Sequence, residues 1–251
     1  MTAAGIEICD GQVPFDFARA IKTIDELTLM RSNARMAAEG LDILQKQLVP
    51  GVTENQLWGS FMGHVLSNGA EYSGTRMLSS GPRTNPWLQE ATDRVVQKGD
   101  LVGLDTDLCG RHGYLTDISR TYLCGDKPTD DQRRIYHDAY EFVHGNIPEM
   151  KVGASLIELG EKLKGRFPAE YYDQRYPLIA HGGGVCDEYP AIKFENNYEG
   201  ELAAGMVMSV EAYCGPVGGR DGVKLEEQVI ITDAGPEIIS GNANHDDRLR
   251  S

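Results

Sequence analysis

The 251-residue sequence predicts an α+β domain laid out on a doubled plan, because two amphipathic helices followed by strand-like segments occur twice along the chain. Residue identities do not repeat, so the doubling is one of architecture. In the first half, Leu27, Met30, Ala34, Ala37, Leu41, Leu44 and Leu48 recur at helical steps over residues 25–48, and Pro50 and Gly51 end that helix. Thr53 and Gln56 form a capping-box pattern that opens a second helix through Leu57, Phe61, Val65 and Leu66 to a stop at Gly69. Residues 72–80 read as a strand, and Gly81, Pro82, Asn85 and Pro86 as a loop. In the second half, Thr129 with Gln132 and Ser155 with Glu158 cap two more helices. Strand-like segments follow at His181, at 206–213 and at 223–232. Residues 1–24 show no clear periodicity and predict a leader or linker, 25–240 the folded domain, and 241–251 a polar tail.

Composition narrows the classes. Hydrophobic residues at 41% and charged residues at 25% are ordinary for a soluble chain able to build its own core. The net charge of −14, with no Lys/Arg run longer than two, opposes nucleic acid and anionic membrane as partners. No apolar run approaches the roughly 20 residues of a spanning helix, and the N-terminus lacks a basic segment followed by an apolar one, so a cytoplasmic protein is expected. The five cysteines are widely spaced, without a CxxC pair, and read as buried free thiols; Cys109 and Cys186 lie near candidate site residues.

The chemistry concentrates first at residues 101–120, LVGLDTDLCGRHGYLTDISR. Asp105 and Asp107 are two apart and would share a face of an extended strand, and a turn centred on His112 would set Asp107 opposite Asp117. An isolated DxD would read as a solvated hairpin. Here Leu101, Val102 and Leu104 precede the acids and Ile118, Tyr122 and Leu123 follow, so both strands read as buried, and buried carboxylates need a cation, a proton or a metal.

The second half supplies partners. His181 begins HGGGVCDEYP, where three glycines allow a close backbone approach. The same HGGG string serves as an oxyanion element in lipase-like hydrolases, but that needs a GxSxG elbow, and the sequence contains neither this nor a phosphate-binding glycine loop. Glu211 ends an apolar strand and Glu226 sits inside another, with Glu227 beside it as the candidate outward residue of the pair. Asp107, Asp117, His181, Glu211 and Glu226 thus make four carboxylates and one imidazole, which two divalent cations would neutralise.

The motifs LDTD…TDISRTY, HGGG, MSVEAY and KLEEQVIIT fall in the order found in the pita-bread metalloenzymes, which include methionine aminopeptidase, aminopeptidase P, prolidase and creatinase; the chain resembles this family over about residues 25–235. The resemblance implies a pita-bread fold, a pseudo-twofold repeat of helices packed on a curved, mainly antiparallel sheet. It also implies two divalent metal ions on Asp107, Asp117, His181, Glu211 and Glu226, iron above all, with manganese, zinc or cobalt as alternatives. Two departures separate the chain from the peptidases: Asp107 and Asp117 are ten apart rather than eleven, with Asp105 as an additional acid, and Asp187 and Glu188 stand where a second histidine is expected. Creatinase, which lacks the metal set, is a poor match. The DTD…TDISRTY and HGGGVCDEYPAI combination is most similar to the branch that cleaves dimethylsulfoniopropionate (DMSP) to acrylate and dimethyl sulfide. That resemblance implies a metal role for Asp105, the base role for Asp187 and a pocket role for Tyr176, whose ring suits a sulfonium cation. Members of that branch carry a separate N-terminal domain, whereas about 24 residues precede the first helix here. The expected function is a metal-dependent DMSP lyase acting on a small-molecule substrate, the alternatives being an aminopeptidase or X-Pro dipeptidase-like hydrolase and a non-catalytic binding module. A homodimer is the assembly to test.

Overall fold

Helices and antiparallel strands alternate in two similar halves that meet at their sheets. The computed structural model describes residues 4–185, 187–241 and 245–250. A short helix α1 (Gln12–Ala20) comes first, within the stretch expected to be a leader. Helix α2 (Ile24–Gln47) follows with Thr23 and Glu26 in a reciprocal capping box, and α3 (Glu54–Ser67) starts with the predicted box of Thr53 and Gln56.

The stretch 72–80 is two strands rather than one. Strand β1 (Tyr72–Ser73) pairs with β4 (Leu108–Cys109), whereas β2 (Leu78–Ser80) pairs with β3 (Leu101–Asp105). Strand β5 (Leu115–Thr116) completes the small sheet with β4, and β6 (Ser119–Leu123) completes the larger one, in the order β2-β3-β6. Ala34, Leu41, Phe61 and Val65 of α2 and α3 bury against Leu104, Ile118 and Tyr122 to form the core of this half.

The second half repeats the plan. Helix α4 (Asp130–Asn146) has the Thr129–Gln132 capping box, and α5 (Leu156–Lys164) starts where Ser155 accepts from the Glu158 amide. Behind them stand β7 (Leu178–Gly182), β8 (Ala191–Lys193), β9 (Val207–Cys214), β10 (Val223–Thr232) and β11 (Gly235–Ile238) in one sheet ordered β11-β10-β9-β7-β8, every neighbour antiparallel. Ile135, Val143, Leu159 and Leu163 pack against Ile179, Val210, Leu225 and Val229.

Strands β6 and β10 join the halves. Arg120 donates to the Glu226 carbonyl at 2.6 Å, and the Thr121 hydroxyl donates to the Lys224 carbonyl at 2.9 Å. Within the stretch expected to be a polar tail, the described residues 245–250 dock on the domain: α6 (Asp247–Arg250) through buried Leu249, and buried Asp246 by accepting from the Leu123 amide. Among the described residues no helix is long and apolar enough to cross a membrane.

Candidate metal centre

The geometry follows from strand β10. Alternation puts Lys224, Glu226 and Gln228 on one face and Leu225, Glu227 and Val229 on the other. Antiparallel pairing sets Glu211 of β9 opposite Glu226, and β7 brings His181 opposite Ser209 of the same strand. From the first half comes Asp105, the last residue of β3, opposite Ser119 of β6. All eight residues of β9 and all but the last of the ten in β10 are buried, so these acids have little water to solvate them.

The acidic hairpin keeps its register but not its predicted faces. Asp105 pairs with Ser119 and Leu108 with Thr116, both about a centre at residue 112, which preserves the match of Asp107 with Asp117. Neither aspartate belongs to a ladder. Asp107 sits at φ 35°, so it reaches the centre by a left-handed turn and not by strand alternation with Asp105; its amide donates to Asp117 Oδ1 at 3.1 Å and its carboxylate accepts from Thr75.

The donor atoms converge on His181 Nε2, which lies 3.2 Å from Glu226 Oε1, 3.6 Å from Glu211 Oε1 and 3.9 Å from Asp117 Oδ2. Glu211 Oε1 and Glu226 Oε1 are buried without a hydrogen bond. Oxygens left bare around an imidazole nitrogen fit a bound cation.

Electrostatics carries the same message. Burial, then the charge of Asp105, pushes the Asp107 carboxyl up to about 6, and burial with the charges of Asp105 and Glu226 raises Asp117 well above the carboxylate range. Burial pushes Glu211 up to about 8 despite Lys224. Burial would lower His181, but the close contact with Glu226 and the charges of Glu211 and Glu226 push it up to about 10. Burial alone would raise Glu226 as well, yet Lys224 and His181 hold it far below the usual range. Without further positive charge the cluster must borrow protons.

Sequence reasoning missed Lys224 and Ser119. Lys224 Nζ lies 2.8 Å from Glu211 Oε2, 3.1 Å from Glu226 Oε2 and 3.3 Å from Asp105 Oδ2, and donates to Ser119 Oγ at 2.9 Å. The Ser119 hydroxyl is 2.7 Å from Asp105 Oδ1 and 2.8 Å from Glu226 Oε2. The spacing K-x-E in KLEE, which places both side chains on one strand face, was the available signal. Five carboxylates against one ammonium leave a charge of about −4, still the complement of two divalent ions.

The remaining expected residues lie around this cluster. Tyr176 presents its ring 5.3 Å from Lys224 Nζ. Asp187 is half-buried on the loop after the glycines; burial raises its pKa, with the charge of His181 opposing and those of Glu188 and Glu226 assisting. Glycine is required at 182, where a Cβ would fall 1.9 Å from the Tyr189 carbonyl oxygen, so the glycine string lets this loop fold back beside His181. Glu188 and Tyr189 line a cavity of about 430 Å³ together with Phe17 of α1 and Tyr198. Cys109 is buried in the small sheet, and Cys186 lies outside the described residues. Glu227 corrects an expectation: it is not an outward residue but is buried on the opposite face of β10, paired with Arg120 at 2.9 Å.

Residues 28–233 match metallopeptidase family M24. The chain belongs to this family. Enzymes of family M24 use divalent metal ions, and the cluster around His181 supplies candidate ligands for them. The M24 chain is 35% identical over 251 residues to dimethylsulfoniopropionate lyase DddP of Roseovarius nubinhibens, an alignment covering 96% of this chain and 56% of the relative. It is 28% identical over 228 residues to the Xaa-Pro dipeptidase of Pyrococcus furiosus, covering 88% of this chain and 63% of that protein. Among solved structures, the Xaa-Pro dipeptidase from Bacillus anthracis superposes with a TM-score of 0.81 at 27% identity over 92% of this chain and 64% of that one. Dipeptidase PepE from Mycobacterium ulcerans superposes with a TM-score of 0.85 at 25% identity over 98% and 65%. The M24 chain therefore spans a little over half the length of the DMSP lyase that it matches.

Proposed function

We propose that the chain is a metal-dependent DMSP lyase, with two divalent ions held by Asp105, Asp107, Asp117, His181, Glu211 and Glu226. The observation that carries this reading is the placement of Asp105. The position eleven before Asp117, where the peptidase pattern expects its aspartate, is Thr106, and its hydroxyl is spent on the Thr116 carbonyl at 3.1 Å and the Ile118 amide at 3.0 Å. Asp105 and Asp107 flank it, and Lys224 and Ser119 fix Asp105 toward the cluster. The 35% identity to a DMSP lyase, against 28% to the Xaa-Pro dipeptidase, supports the same branch.

Divalent ions bound there would coordinate the substrate carboxylate and acidify the adjacent C–H. Asp187, held basic by its burial, takes that proton; the C–H electron pair becomes the new C=C bond of acrylate, and the C–S bond breaks with its pair on sulfur, releasing neutral dimethyl sulfide. Lys224 adds a fixed positive charge for the substrate carboxylate end, and Tyr176 offers an aromatic face to the sulfonium end.

The test is headspace detection of dimethyl sulfide from the metal-loaded chain given DMSP, beside amino-acid release from X-Pro dipeptides. Dimethyl sulfide alone supports the proposal, and hydrolysis of the dipeptides alone replaces it with the hydrolase reading that the dipeptidase relatives favour. Asp187→Ala is expected to abolish elimination and keep its metal, whereas parallel loss of metal would remove Asp187 from the base role.

A further inference from the structure

The face of β10 turned away from the carboxylate centre carries a second convergence of metal-ligating atoms. His144 in the last turn of α4, Glu227 of β10 and His245 just before α6 point one donor each at a common point. The two imidazole Nε2 atoms are 3.4 Å apart, and Glu227 Oε1 lies 2.6 Å from His245 Nε2 and 3.6 Å from His144 Nε2. We propose that this trio binds one divalent transition-metal ion of the zinc type, and that the ion clasps the C-terminal helix α6 to α4.

The separations argue for it. Ligands about 2.0–2.1 Å from a tetrahedral ion stand roughly 3.3 Å from one another, so two of the three distances are already near the required value. The third is a hydrogen bond whose proton the ion would replace. The proton of His245 Nε2 goes to the Glu227 carboxylate at 2.6 Å, which leaves the lone pair of His144 Nε2, 3.4 Å away, without that proton; a cation accepts the lone pairs of both rings. Burial also holds His144 down to about 4 and lowers His245, so both rings offer lone pairs at neutral pH.

The surroundings hold the ligands in place. Tyr136 Oη lies 3.0 Å from His245 Nδ1, Ser240 donates to Glu227 Oε2, and Tyr140 stacks on His144 with centroids 4.0 Å apart. The His144 side chain retains 25% exposure, which gives an ion a way in and leaves a coordination position for water. Two nitrogens and one carboxylate oxygen suit zinc or cobalt better than calcium or magnesium. Arg120, on the same Glu227 oxygen, keeps that carboxylate ionised but repels a cation, so this site should fill after the carboxylate centre.

The probes are Zn²⁺ and Co²⁺ added in excess to the whole chain and to His144→Gln and His245→Gln, with free metal removed before counting. The wild type should retain one more zinc per chain than either variant. Its melting temperature should rise with zinc by several degrees more than theirs, and its Co²⁺ form should show visible ligand-field bands that both variants lose. The rate on DMSP, measured with the carboxylate centre loaded, should be the same in all three. Equal zinc counts in the wild type and a folded variant overturn the site; circular dichroism establishes folding, and if one variant does not fold the other decides alone.

Discussion

Glu226 and Glu227 are consecutive in one strand and equally buried, but their surroundings differ in kind. Glu227 faces a matched environment: the Arg120 guanidinium at 2.9 Å, His245 at 2.6 Å and the Ser240 hydroxyl leave its carboxylate satisfied and hold its pKa down to about 2 against the effect of burial. Glu226 shares its one fixed cation, Lys224, with Asp105 and Glu211, and one of its oxygens has no hydrogen bond. The Glu227 carboxylate already has its charge matched by Arg120, so an ion there adds to a balanced site, whereas the Glu226 cluster is balanced only when more positive charge arrives. A single residue step along a strand therefore separates a carboxylate that an arginine already balances from one that needs added cations.

Removing a ligand has the largest expected effect. His181→Ala should lose bound metal and activity together, by ~1,000-fold or more in rate, since a metal contributes several kcal/mol to the barrier; elemental analysis and the dimethyl sulfide assay read the two losses. Next in size is the contrast in stability. Glu227→Ala strands a buried guanidinium and should cost about 3–5 kcal/mol in urea unfolding, whereas Glu211→Gln, opposite Glu226 on the other face, removes a carboxyl that burial already pushes up to about 8 and should leave the metal-free protein as stable as before or more so. If both substitutions destabilise equally, the distinction between the faces fails.

Acid acts on the Glu227 side. The folded state holds His144 at about 4, below its ordinary 6.5, so between those values the unfolded chain binds a proton that the folded chain refuses. Stability contributed by this histidine is present above about pH 6.5 and is lost as pH falls toward 4. Metal-free protein should lose about 1–3 kcal/mol over that window, and His144→Gln should flatten the slope in parallel urea titrations. The smallest effect belongs to Ser119→Ala, which removes the hydroxyl between Asp105 and Glu226 and should weaken metal binding by about tenfold without abolishing it.

What was legible in the chain was whatever rests on local periodicity. The boundaries of β10 match the 223–232 expectation, and the capping boxes expected at Thr53–Gln56 and Thr129–Gln132 appear, because these signals depend on residues within a few positions. The doubled plan was legible for the same reason. Helix α1 was not: its Val13, Phe15 and Phe17 remain exposed, so burial imposes no pattern on the segment. The docking of residues 245–250 depends on Tyr136 and Leu123, more than a hundred residues away, and no local pattern encodes it. At the site, the acids and His181 were legible from buried flanks, while the left-handed turn at Asp107 and the ammonium of Lys224 were not. The first reflects a backbone choice that Asp tolerates without announcing it. The second was visible in KLEE only once charges of both signs were counted.

The Glu226 face is proposed to hold a pair of divalent ions between the two halves of the fold. The most direct measurement is the metal count of the chain carrying His144→Gln, loaded with Mn²⁺ and freed of excess, so that the carboxylate centre alone contributes. Two ions per folded chain are expected, both lost when Glu226→Gln is added; a folded chain that retains no metal, or retains the same amount in both forms, would rule the pair out.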